Sequence, residues 1–128
     1  MLRVKELLNQ KDNKLFYIPP QMSVRSAVDL LVDKNVGALS VMNEDGLLGI
    51  FSERDFTRYL VEQGEAILEM PVSDFMTHDV VSVLADTPLE ECMRMMIERK
   101  FRHLLVREGE KIIGIVSMRD LASRLYQL

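Results

Sequence analysis

The sequence predicts an α/β (α+β) protein built from two pseudo-symmetric β-α-β-β-α repeats that pack through their small sheets. The first observation is a repeated heptapeptide. Gly49-Ile50-Phe51-Ser52-Glu53-Arg54-Asp55 returns as Gly114-Ile115-Val116-Ser117-Met118-Arg119-Asp120, 65 positions later (114 − 49). The second is that the same offset aligns residues 18–60 with residues 83–125 without a gap. A period of this size indicates a duplicated supersecondary unit whose copies share a core.

The order of elements within each copy is the third observation. Short apolar runs bounded by Pro, Gly and Asn alternate with amphipathic helical stretches. In the first copy a strand, a helix, a hairpin and a second helix are predicted over residues 15–18, 23–34, 38–51 and 53–61. In the second copy the same elements are predicted over residues 80–83, 88–100, 101–116 and 118–126.

Several residues mark the expected ends of these helices. Ser23 and Thr87 are the predicted N-caps, with Pro88 at the first helical position of the second copy. Asn35 or Gly37 is expected to take the left-handed conformation that ends the first helix.

The domain organisation follows from these elements. We expect an N-terminal helix and linker in residues 1–14, the first repeat in 15–62, a linker in 63–76 and the second repeat in 77–128. Apolar side chains at Leu2, Val4, Leu7 and Leu8 predict that the N-terminal helix is amphipathic and packs against the repeats.

The repeated heptapeptide has the chemistry to bind a sugar phosphate. It leads a strand through a glycine to a helix start, whose free backbone N–H groups favour anions. A serine hydroxyl can donate to a phosphate, an aspartate can accept from two ribose hydroxyls, and an arginine adds positive charge. We call the two copies the first-repeat motif and the second-repeat motif. Their candidate side chains are Ser52, Arg54 and Asp55 in the first and Ser117, Arg119 and Asp120 in the second.

The alternative interpretation of the motif is purely structural. Ser-x-x-Asp is close to a capping box, which serves only to start a helix. Capping would, however, tolerate Thr, Asn or Glu at several of these places. Two copies that keep the same Gly, Ser, Arg and Asp therefore favour a ligand.

Composition narrows the class of partner. The chain has 128 residues, which suits one compact domain. Its net charge of −4 argues against nucleic acid or an anionic membrane as partner. No apolar run is long enough to cross a bilayer. The single cysteine, Cys92, cannot form an intramolecular disulfide, so a cytoplasmic setting is expected.

The residues above, taken together, resemble a tandem pair of cystathionine-β-synthase (CBS) domains, also called a Bateman module. The resemblance is carried by the repeated element order, by both motifs, by Phe101-Arg102-His103-Leu104 and by the lead-in Phe75-Met76-Thr77. It implies a regulatory module and not an enzyme. It also implies that an adenosine ligand (AMP, ADP, ATP, NAD(H) or S-adenosylmethionine) binds between the repeats as a regulatory ligand and not as a catalytic cofactor.

The resemblance also implies roles for individual positions. The serine of each motif matches a hydroxyl that contacts phosphate, and the aspartate matches a ribose-binding carboxylate. Arg102 and His103 match a pair that reaches phosphate, whereas the first repeat has Gly37 and Ala38 in their place. Leu105 departs from the proline usual there. The implied adenine-lining positions are Ile18, Ala38, Val81 and Leu104.

Two further groups of residues admit two interpretations each. His78, in the loop before the first strand of the second repeat, is either a ligand contact or part of the loop surface. Cys92, Met93, Met95 and Met96 are either core filler or a helical dimer face. The two histidines and one cysteine form no recognisable metal pattern.

The function expected from the sequence is a regulatory adenosine-ligand-binding module that signals to an unidentified partner protein in trans. We expect a homodimer, because the helices have apolar faces wider than a three-stranded sheet covers. The alternative is a ligand-independent dimerisation or scaffold protein, in which the motif serves only for capping.

Overall fold

The computed structural model describes residues 2–10 and 17–126. The elements in chain order are α1 (Val4–Gln10), β1 (Tyr17–Ile18), α2 (Val24–Lys34), β2 (Ala38–Asn43), β3 (Gly46–Ser52), α3 (Glu53–Gln63), two 3₁₀ helices (Glu65–Glu69 and Val72–Asp74), β4 (Ser82–Leu84), α4 (Leu89–Arg99), β5 (His103–Glu108), β6 (Lys111–Ser117) and α5 (Met118–Tyr126). The predicted strand-helix-hairpin-helix order is confirmed in both copies. The first strand is predicted over residues 15–18, of which residues 15 and 16 lie outside the described residues.

The described chain divides into two compact units, each centred on one three-stranded sheet. The first unit lies within Phe16–Val80. In its sheet β1 runs parallel to β2, and β2 pairs with β3 in antiparallel fashion. Apolar residues of α2 pack with Leu39, Val41 and Phe51 on one face of this sheet to form the core. Burial of these side chains is the main force that holds the unit together.

The stretch expected to link the repeats packs against the core of the first unit. Ile67, Val72 and Phe75 are buried there, and the Phe75 ring meets the Tyr59 ring edge-on at a centroid distance of 5.1 Å. Arg25 of α2 donates to the carboxylate of Glu69 from two nitrogens. The 3₁₀ helices are therefore a packed part of the first unit.

The second unit repeats this architecture. β4 is parallel to β5, and β5 is antiparallel to β6. The core contains Val4, Leu7 and Leu8 of α1, which confirms that the N-terminal helix packs against a repeat. The Val4 N–H donates to the Thr87 carbonyl at 2.8 Å, so α1 is also fixed by backbone hydrogen bonding.

The duplication extends to backbone detail. Asn35 (φ 53°) and Lys100 (φ 61°) both take the left-handed conformation after the first helix of their repeat, at the same offset of 65 (100 − 35). Each hairpin also shifts register at the same place, after Val41 in the first repeat and after Val106 in the second. Of the two residues predicted to end α2, Asn35 is the one that does so.

The start of α4 differs from the prediction. Ser23 caps α2 as expected, since its side chain accepts from the Ser26 N–H. Pro88, however, is extended (ψ 147°) and precedes the helix, so Thr87 is not its cap. The Leu89 N–H donates instead to the carbonyl of Leu2 at 3.1 Å. The N-terminal segment thus satisfies a donor that a cap side chain would otherwise have taken.

The first strand of the second repeat is also displaced. It was predicted over residues 80–83 and is found at Ser82–Leu84. The Val80 N–H is used in a local turn to the His78 carbonyl at 2.9 Å. Val81 still contributes to the sheet, because its carbonyl accepts from the Leu105 N–H at 3.0 Å.

The methionine-rich helix α4 is largely core. Cys92 and Met96 are fully buried, and Met93 and Met95 are partly buried against the same cluster. Burial raises the pKa of the Cys92 thiol to about 11, with a smaller contribution from the nearby carboxylate of Glu91. Of the large apolar residues of α4, Ile97 is the exposed one.

Candidate functional site

The first-repeat motif forms a complete capping box at the start of α3. The Ser52 hydroxyl oxygen accepts from the Asp55 N–H at 3.1 Å, and the Ser52 N–H donates to Asp55 Oδ2 at 3.2 Å. The Ser52 hydroxyl also donates its proton to Asp55 Oδ2 at 3.0 Å. Both side chains therefore contribute to starting the helix.

Asp55 has a further partner that the sequence analysis did not identify. The Thr77 hydroxyl lies 3.2 Å from Asp55 Oδ2 and 3.3 Å from Oδ1, within donating distance of both oxygens. Asp55 is only 7% exposed, and the nearest cation, Arg58, stands 4.0 Å from Oδ1. The sequence places Thr77 only in the lead-in to the second repeat, because its contact with Asp55 joins residues 22 positions apart.

Gly49 allows Thr77 to reach this position. Ile50 and Thr77 exchange two backbone hydrogen bonds, at 3.0 and 2.8 Å, so residue 77 lies along the edge of β3. A Cβ atom at residue 49 would stand 2.5 Å from the Thr77 carbonyl oxygen. The first-repeat glycine is therefore required by a close approach of two backbone segments.

The second-repeat motif has the same backbone geometry at the start of α5. The Ser117 N–H donates to Asp120 Oδ2 at 2.9 Å, and the Asp120 N–H donates to the Ser117 hydroxyl oxygen at 3.0 Å. The Met118 N–H donates to the Arg102 carbonyl at 2.9 Å, as the Glu53 N–H does to Gly37 in the first repeat. Each motif is thereby anchored to the start of the neighbouring strand.

The strand start that faces the motif serine carries potential cations in the second repeat and none in the first. His103 is the direct cross-strand neighbour of Ser117, and Arg102 precedes it with an exposed side chain. In the first repeat Ala38 is the neighbour of Ser52. The predicted phosphate residues Arg102, His103 and Ser117 are thus brought together in one unit.

The implied adenine-lining residues have side chains that mostly face the protein interior. Ile18 and Leu104 are 2% and 0% exposed and belong to the core clusters of their own units. Ala38 is also buried, whereas Val81 is partly exposed. At Ile18 and Leu104 a ligand would meet backbone atoms and not the side chain.

The remaining candidates lie at the surface. Arg54 and Arg119 have exposed side chains in the first turns of α3 and α5. His78 is exposed in the loop that follows Thr77. Within residues 2–10 and 17–126, no group of three or more His, Cys, Asp or Glu side chains is placed to hold a metal ion. No helix in the same part of the chain is both long and apolar enough to span a membrane.

Comparison with known proteins identifies relatives along most of the chain. The chain is 34% identical over 127 residues to the uncharacterized protein YlbB of Bacillus subtilis, covering 95% of this chain and 81% of that one. A CBS-domain containing protein from Agrobacterium tumefaciens has a similar structure, with a TM-score of 0.90 and 34% identity over 97% of this chain and 99% of that one.

Some structurally similar proteins have been solved with ligands. CBSX2, in complex with AMP, superimposes with a TM-score of 0.77 and 29% identity, covering 99% of this chain and 98% of its own. A family model described as the CBS domain matches residues 4–62 and again residues 72–127. The chain therefore belongs to the CBS domain family and carries two copies of that domain.

Proposed function

We propose that this chain is a regulatory module that binds an adenosine ligand and passes the bound state to a partner protein in trans. The observation that carries the proposal is the placement of His103 directly across from Ser117 at the start of α5, with Arg102 beside it. Two potential cations and a hydroxyl converge there at a helix start, which is the chemistry a phosphate needs. The AMP complex of CBSX2 supports the choice of ligand class.

The proposal assigns a role to each side chain of the second-repeat motif. The Ser117 hydroxyl donates to the phosphate, and Asp120 accepts from the ribose hydroxyls. Arg102, His103 and Arg119 supply positive charge. No residue is assigned to bond breaking, so the module is regulatory and not catalytic. Adenine nucleotides, NAD(H) and S-adenosylmethionine all share the ribose that Asp120 would recognise.

We also propose that the module is a cytoplasmic homodimer. Each repeat leaves an apolar residue exposed on each of its two helices, at matching positions. These residues are Val32 and Val61 in the first repeat and Ile97 and Tyr126 in the second, between 63% and 81% exposed. Because the exposed positions match at an offset of 65 (97 − 32 and 126 − 61), we infer that both repeats use them to contact a second copy of the chain. The buried, unpaired thiol of Cys92 suits a reducing compartment.

A scaffold protein without a ligand is the second candidate function. It is favoured by the hydrogen bonds of the two motifs, since Ser52 with Asp55 and Ser117 with Asp120 each satisfy the backbone donors of a helix start. The exposed helix residues would then be the functional surface.

Melting curves with a ligand panel separate the two candidates. A ligand that binds only the folded state raises the melting temperature. We expect at least one of AMP, ADP, ATP, NAD(H) and S-adenosylmethionine to raise it. No shift with any of them at millimolar concentration would favour the scaffold. Mass spectrometry of small molecules released from the denatured protein would identify a ligand carried through purification.

A further inference from the structure

We infer that the two copies of the motif have different roles: Thr77 closes the first-repeat motif, which is a structural tie, and one adenosine ligand binds per chain, at the second-repeat motif. This inference rests on the proposed function and adds to it the number and the place of the bound ligand. It makes Thr77 a positioning residue, since Thr77 acts on the backbone and on Asp55 and not on the ligand.

The first argument is the occupation of the Asp55 carboxylate. Oδ2 accepts from the Ser52 N–H and the Ser52 hydroxyl, and the Thr77 hydroxyl lies within 3.3 Å of both oxygens. Two hydroxyls of a ribose would need these same lone pairs. Because Asp55 is also 7% exposed, a ribose could reach it only after Thr77 had moved away.

The second argument is the proton of the motif serine. The Ser52 hydroxyl has one proton, and it is donated to Asp55 Oδ2 at 3.0 Å. The Ser117 hydroxyl accepts from the Asp120 N–H at 3.0 Å, and among residues 2–10 and 17–126 it donates no hydrogen bond like the one from Ser52 to Asp55. Ser117 can therefore donate to a phosphate without losing an existing hydrogen bond, and Ser52 cannot.

The third argument is charge. A phosphate at the second-repeat motif would meet His103 across the strand pair and Arg102 next to it. The corresponding residues of the first repeat, Ala38 and Gly37, offer no cation. Hydrogen bonds to charged groups are the strong ones, so this difference favours the second repeat.

The tie itself explains why the first repeat keeps its motif. Thr77 is fixed to β3 by two backbone hydrogen bonds with Ile50, and Gly49 provides the room. The Asp55 carboxylate then holds the Thr77 side chain. The segment that leaves the 3₁₀ helices is thereby fastened to the start of α3, and this fastening requires Gly, Ser and Asp at the places that the motif gives them.

Calorimetric titration of the full chain with AMP tests the inference. We expect one AMP per chain for the wild type. Ser117→Ala should weaken AMP binding about tenfold or more, because it removes a hydrogen bond to a charged group. His103→Ala leaves the α5 cap unchanged and should also weaken AMP binding. A weaker affinity in both variants would therefore not be explained by a folding defect in Ser117→Ala.

Thr77→Val is the matched control. It keeps the shape of the side chain and removes the hydroxyl, so the melting temperature without ligand should fall by a few degrees. AMP affinity should stay within about twofold of wild type, a difference well under 1.4 kcal/mol. Binding of two AMP molecules per chain would overturn the inference. A loss of AMP affinity in Thr77→Val as large as that in Ser117→Ala would also overturn it. Either result would leave the proposed function standing. A wild type that binds none of AMP, ADP, ATP, NAD(H) and S-adenosylmethionine at millimolar concentration contradicts both.

Discussion

Gly49 has no room for a side chain. The nearest obstacle is the backbone oxygen of Thr77, 2.5 Å from the place of a Cβ atom, and backbone cannot rotate away as a side chain does. We expect Gly49→Ala to lower the free energy of unfolding by roughly 1–3 kcal/mol. Chemical denaturation of the two proteins measures this difference in unfolding free energy. Gly109→Ala is the control, since a Cβ there meets no atom within 4 Å and only the left-handed φ of 62° is strained. Equal stability of Gly49→Ala and wild type would contradict the close approach.

Ser40 is a buried residue without a hydrogen-bond partner. It is 0% exposed in the middle strand of the first sheet, and its hydroxyl has no partner in the described structure. A buried unpaired hydroxyl costs about 1–3 kcal/mol. Ser40→Ala should therefore leave stability unchanged or raise it by up to about 1 kcal/mol. Ser23→Ala, which removes the cap of α2, should lower it by about 1 kcal/mol. A loss in Ser40→Ala as large as in Ser23→Ala would show that the Ser40 hydroxyl is paired.

At the scale of the elements, α4 contains a titratable group that opposes folding at high pH. Burial raises the pKa of Cys92 from 9.0 to about 11. Between these values the folded protein keeps the thiol proton while the unfolded chain loses it, so stability must fall as the pH rises. The loss should be on the order of 2 kcal/mol.

The measurement compares wild type with Cys92→Ala by urea denaturation between about pH 8 and pH 11. Below pH 9 the difference in unfolding free energy between the two proteins should be constant, because the thiol is protonated in both states. Above pH 9 it should shift in favour of Cys92→Ala. A difference that does not change with pH would mean that the thiol is not desolvated.

The elements were predictable where the signal is local or repeated. Ser23 caps α2 as predicted, and Asn35 ends it in the left-handed conformation, as one of the two predicted residues. The start of α4 was mispredicted because a distant segment, at Leu2, takes the hydrogen bond that a local cap would have made. Local patterns do not reveal partners that lie far away in the chain.

The candidate site shows the same limit. The motif chemistry and the neighbourhood of Arg102 and His103 follow from the repeat and from the resemblance. The contact of Thr77 with Asp55 does not, because it depends on the path of the chain after the 3₁₀ helices. The two motifs are alike in sequence and differ in hydrogen bonding, and only the structure distinguishes them.

At the scale of the whole molecule, the exposed helix residues predict self-association. Val61 and Tyr126 are 81% and 73% exposed at matching positions. We expect sedimentation to show a dimer at micromolar concentration. Val61→Glu combined with Tyr126→Glu should give a monomer with unchanged helical circular dichroism, since exposed substitutions cost little stability. A wild type that sediments only as a monomer would defeat the dimer proposal.

The most direct test of the ligand-binding claim is the affinity of AMP for wild type and for Asp120→Ala, measured by titration calorimetry. Each hydrogen bond to the carboxylate contributes about 1.5–3 kcal/mol, so losing even one of them should weaken AMP binding by about tenfold to about 150-fold, and losing both by more. Stability without ligand should fall by no more than about 1 kcal/mol, because the Ser117 N–H loses its acceptor while the Ser117 hydroxyl still accepts from the backbone of α5. Equal AMP affinity in the two proteins, with Asp120→Ala less stable by about 0.5–1 kcal/mol, would contradict the account and reduce the motif to a helix cap.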